Sequence, residues 1–111
     1  LTFNGIGHII KGAKGADAQQ ESRVLMLSDQ ARSDANPILL IDENDVTAGH
    51  AASIGQVDPE DMYYLMSRGL DKATAERLVV RGFLGSVIVE IPVKEVRDEM
   101  IENIDIILAK R

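Results

Sequence analysis

The chain has 111 residues, 45% hydrophobic and 27% charged, which is the size and composition of one ordinary domain able to bury a core rather than of a disordered segment. Eighteen acidic against twelve basic residues give a net charge of −6, which argues against a nucleic-acid surface, whose affinity comes from clustered Lys and Arg. With no cysteine there is no disulfide framework and no thiol nucleophile, any metal falls to His, Asp and Glu, and a reducing cytoplasmic setting fits. Apolar runs such as Pro37 to Ile41 and Val87 to Val89 are far too short to cross a membrane.

The chain opens at Leu1 without Met, and Leu1-Thr2-Phe3-Asn4-Gly5-Ile6 reads like the interior of a strand region, which predicts a fragment of a longer protein. Residues 1–57 have strand character. Short apolar runs at Gly7 to Ile10, Ser22 to Leu27, Pro37 to Asp42 and Val46 to Ala52 are separated by Gly, Asn, Asp and Ser. Their spacing is too irregular for a hairpin ladder, and no Asn-Gly turn separates the later runs, so parallel stacking is favoured over folding back.

Residues 58–111 change to a helical period. Asp58 can cap, Pro59 suits the first helical position, Glu60 and Asp61 complement the helix dipole, and Gly69 is a natural stop. Asp71 offers a second cap, before a stripe of Ala75, Leu78, Val79, Phe83, Ser86 and Val87. That helix is expected to run to Ile91, where Pro92 ends it and begins a third. In the third, Val93, Val96, Met100, Ile104, Ile107 and Leu108 form the stripe, while Lys94, Arg97, Asp98, Glu99 and Glu102 face water.

Motifs of known chemistry are scarce. Gly5-Ile6-Gly7-His8-Ile9-Ile10 has two of the three glycines of a dinucleotide fingerprint but no helix after it, and Lys11-Gly12-Ala13-Lys14-Gly15 lacks the ending of a phosphate-binding loop. The serines have no nucleophile-elbow context, so no catalytic site emerges. Of the two histidines, His8 reads as a structural residue. His50 has room around its ring, with Gly49 before and Ala51-Ala52 after, and has Glu43 and Asp45 nearby in sequence, a set compatible with a labile iron or zinc site but matching no dedicated motif. Tyr63, Tyr64, Met66, Arg68 and Leu70 are of the types found at interface centres, although Tyr63 and Met66 could equally dock the first helix on the strands.

Four segments together, Ala16-Asp17-Ala18-Gln19-Gln20-Glu21-Ser22-Arg23, Asp34-Ala35-Asn36-Pro37-Ile38-Leu39-Leu40-Ile41-Asp42, Ala48-Gly49-His50-Ala51-Ala52-Ser53-Ile54-Gly55 and Met62-Tyr63-Tyr64-Leu65-Met66-Ser67-Arg68-Gly69, resemble the C-terminal part of the SufB/SufD family, which assembles iron-sulfur clusters in the SUF system. The likeness covers essentially the whole chain. It is closer to the SufD branch, because the SufB branch uses a strand-region cysteine as an assembly ligand and this sequence has none. The resemblance implies the last turns of a right-handed parallel β-helix over residues 1–57, pairing with SufB, and a small three-helix domain over 58–111 that binds the SufC ATPase.

It further implies a non-catalytic subunit in which His50 is the candidate iron or cluster ligand, transiently and only within the full complex. Tyr63, Tyr64, Arg68 and Gly69 would lie in the SufC contact. A truncated β-helix with bare ends is expected to self-associate as a two-fold dimer. Two rival readings are a metal-dependent enzyme domain, with His50, Glu43 and Asp45 around an ion, and a purely structural β-helix oligomerisation module.

Overall fold

A computed structural model describes all residues, 1–111, as two compact units, Leu1–Gln56 and Val57–Arg111. The first holds four strands, β1 (Thr2–Ile9), β2 (Asp17–Met26), β3 (Asp34–Ile41) and β4 (Thr47–Gln56). Consecutive strands never pair. β1 pairs in parallel with β3, Thr2 beside Asp34, and β2 pairs in parallel with β4, Asp17 beside Thr47. A parallel pair needs a long crossover, and here the strand of the other sheet supplies it, so the chain passes alternately between two two-stranded sheets.

Side-chain alternation explains why each strand holds its place. Along β3, Ala35, Pro37 and Leu39 are half-buried while Asp34, Asn36, Ile38 and Leu40 are exposed, and along β2 Ala18, Gln20, Ser22 and Val24 take the inner positions. Pro37 lies in a strand with a neighbour on one side only, where a missing N–H is tolerated. The corners stack as the strands do. Asp42 N–H donates to the Ile9 carbonyl at 2.9 Å, Gly15 N–H to that of Asp45 at 2.7 Å and Thr47 N–H to that of Ala16 at 2.9 Å, which satisfies backbone groups that would otherwise oppose folding. On the outer face the Asn36 amide donates to Asn4 Oδ1 at 3.0 Å, extending the ladder from backbone to side chains.

The second unit holds α1 (Pro59–Ser67), α2 (Lys72–Ile88) and α3 (Lys94–Ala109). Asp58 accepts from Glu60 N–H at 2.9 Å and Asp71 from Thr74 N–H at 2.7 Å, so both expected caps are formed. α1 ends in a Schellman motif: Gly69 has φ 95°, its N–H donates to the Met66 carbonyl, and Leu70 N–H donates to that of Leu65.

Three expectations for the helices are corrected. α2 stops at Ile88, not Ile91, and α3 starts at Lys94, with Val93 rather than Pro92 as its boundary. The restriction that Pro92 imposes on Ile91 is met by a short turn, in which Glu90 and Ile91 N–H donate to the Val87 and Ile88 carbonyls. The inward faces are also rotated. In α2 the buried residues are Ala75, Val80 and Ile88, whereas Leu78 and Val87 are 50% and 63% exposed. In α3 the half-buried set is Arg97, Ile101, Ile104, Asp105 and Leu108, leaving Val93, Val96, Met100 and Ile107 outside. Both helices are apolar over a broad arc, so periodicity gives no unique face, and polar contacts accompany the face that is buried. Arg81 lies 3.7 Å from Asp105, Arg111 pairs with Glu76, and the Arg97 guanidinium, expected in water, turns inward to donate to the Ile91 carbonyl.

Candidate ligand and partner site

His50 is the fourth residue of β4 and pairs in register with Gln20 of β2. The inner position of Gln20 fixes the side to which His50 projects, because in-register parallel partners share a face. Gln20 lies against β1, where a Cβ on Gly5 would collide with its amide nitrogen. The ring of His50 is exposed, since β4 has β2 on one side and no strand on the other. Gly49 does not make the room around this ring that the sequence suggests. It points to the opposite face, where a Cβ would come within 2.6 Å of Gln19 Oε1.

Glu43 and Asp45 are not gathered round His50. Glu43 sits on the corner after β3 and accepts N–H groups from Gly12 at 2.9 Å and Asn44 at 3.1 Å, while the Asp45 carbonyl holds Gly15. The Gly12 N–H holds the Glu43 carboxyl below the usual carboxylate range. Nowhere do three or more His, Asp or Glu side chains converge as metal ligands. The rival arrangement of His50, Glu43 and Asp45 around one ion is therefore corrected: the Glu43 carboxylate is spent on a turn, and the three side chains do not converge. Sequence reasoning also missed the partner of His8, whose Nε2 lies 2.7 Å from Asp42 Oδ2. The two residues are far apart in sequence, and only the β1/β3 register brings them together.

The helical candidates do share one place. Tyr63 and Tyr64 are 77% and 60% exposed, and Met66 is exposed beside them. Neither Tyr63 nor Met66 is thus a core residue of the helical unit. The Arg68 guanidinium stands 5.9 Å from the centroid of the Tyr64 ring, within cation–π range, and Gly69 follows as the left-handed residue that turns the chain away. An apolar, aromatic and cationic patch thus ends α1, with the acidic Glu60 and Asp61 in its first turn.

Residues 1–83 match the family described as SUF system FeS cluster assembly, SufBD core domain. The chain belongs to the SufB/SufD family. It is 63% identical over 103 residues to the iron-sulfur cluster assembly protein SufD of Bacillus subtilis, covering 93% of this chain and 24% of that protein. An iron-sulfur cluster assembly SufBD family protein of Mycobacterium bovis is 45% identical over 94 residues, covering 84% and 24%. One from Mycobacterium leprae is 40% identical over 94 residues, with the same coverage. The chain spans about a quarter of the length of these relatives. No helix is long and apolar enough to cross a membrane.

Proposed function

We propose that this chain is part of a non-catalytic scaffold subunit of cytoplasmic SUF iron-sulfur cluster assembly. The observation that carries the reading is the family match over residues 1–83 together with 63% identity to a SufD protein. In this reading the two parallel sheets are the last turns of a right-handed parallel β-helix. Their bare outer edges suit pairing with SufB, because unpaired strand edges recruit another chain. The helical unit binds the SufC ATPase at the end of α1, supported by the exposure of Tyr63 and Tyr64, the Arg68–Tyr64 contact and the turn at Gly69. His50 offers an exposed imidazole to iron or to a nascent cluster, which is cargo rather than a resident cofactor. One imidazole cannot hold a cluster, so the remaining ligands come from the partner.

Co-purification of the full-length protein with SufB and SufC tests the assembly. The wild type is expected to bring down both. A buried aromatic anchor contributes about 2 kcal/mol or more, so Tyr64→Ala is expected to weaken SufC binding at least about tenfold. Because the ring is 60% exposed, the melting temperature should stay nearly unchanged. Unchanged binding with a lowered melting temperature would make Tyr64 a packing residue and place the interface elsewhere.

A further inference from the structure

The Gln20 side chain is laid along a floor of glycines. Its Nε2 occupies the space a Cβ on Gly5 would need, and its Oε1 would lie 3.9 Å from a Cβ on Gly7. That Oε1 is shut off from solvent and has no hydrogen-bond partner. A buried carbonyl of this kind is unfavourable unless some state of the molecule supplies a donor. The residue paired with Gln20 across the ladder is His50. Parallel strands stand about 4.8 Å apart, so the two side chains leave the sheet on one face at one level.

The geometry points to Gln20 as the positioning residue of His50: its side-chain carbonyl accepts the N–H of one imidazole nitrogen, and the other nitrogen is left unprotonated for iron. The inference rests on the reading of His50 as a ligand. An imidazole that binds metal usually donates its second N–H to an oxygen acceptor, which fixes tautomer and ring orientation. The carboxylates nearest in sequence do not supply that acceptor here, since Glu43 is held by Gly12 and Asn44 and no acidic cluster forms. Gln20 has the reach. Rotation about its terminal torsions turns Oε1 from the glycine floor toward His50, and a neutral amide brings no charge of its own.

The test uses the full-length protein with ¹⁵N-labelled histidine rings, the His50 signals being assigned by their loss in His50→Gln. In the wild type His50 is expected to hold a single tautomer. Gln20→Met, similar in length but only a weak hydrogen-bond acceptor, should give a mixture, and Gln20→Glu should restore one tautomer. In the complex with SufB and SufC, Gln20→Met should slow cluster formation by about tenfold, as loss of such supporting acceptors does elsewhere, and Gln20→Glu should recover part of the rate. If Gln20→Met does not fold, as judged by its melting curve, Gln20→Leu takes its place. An unchanged tautomer in the folded Met or Leu variant overturns the proposal, whatever the assembly rate. A normal assembly rate in His50→Ala overturns instead the ligand reading on which the proposal rests.

Discussion

Glu43 and Asp71 both spend their charge on backbone donors, one at a corner of the strand unit and one at the start of α2. Gly12 N–H holds Glu43, and Thr74 N–H holds Asp71, below the usual carboxylate range. Depressed folded-state values mean that the unfolded chain binds these protons more readily. Their stabilisation is therefore present above about pH 4.5 and is lost as pH falls through the folded values. Glu43→Gln and Asp71→Asn should each lower stability at neutral pH and flatten its decline under acid. Urea midpoints between pH 6 and pH 3 check this. An acid limb as steep in both variants as in the wild type would show that these contacts do not drive the decline. The His8–Asp42 pair belongs to the same scale, since it ties β1 to the corner after β3.

At the scale of elements, both sheets have two strands, so β3 and β4 each keep one bare edge, as do β1 and β2. Bare edges recruit strands, and this chain alone is expected to self-associate as a two-fold dimer. Sedimentation that finds only monomer at high micromolar concentration would contradict this. The elements differ in how far they could be read from sequence. The starts of α1 and α2 were legible because caps are local: Asp58 and Asp71 act within three residues of themselves. The helix faces were not, because Leu78, Val79 and Val80 run consecutively round α2, and α3 turns Arg97 and Asp105 inward to meet Ile91 and Arg81. Parallel pairing followed from the absence of hairpin turns, but the register that sets Gln20 beside His50 depends on residues some thirty positions apart. The same distance hid His8 from Asp42, and it let Glu43 and Asp45 pass for neighbours of His50 when the turn had claimed them.

At the scale of the molecule, the strand unit carries the ligand candidate and the helical unit carries the aromatic patch, so the proposed function puts ligand chemistry and ATPase binding on separate parts of one chain. This separation makes the account testable at a single residue. Because His50 is exposed on an edge strand and not part of the core, replacing it should leave folding and association intact. The most direct measurement is cluster formation by the full complex with SufB and SufC carrying His50→Ala, with the subunit composition determined on the same sample. An intact complex that forms clusters poorly is expected. A variant complex that forms clusters at the normal rate, or one that fails because its subunits come apart, would contradict the ligand role.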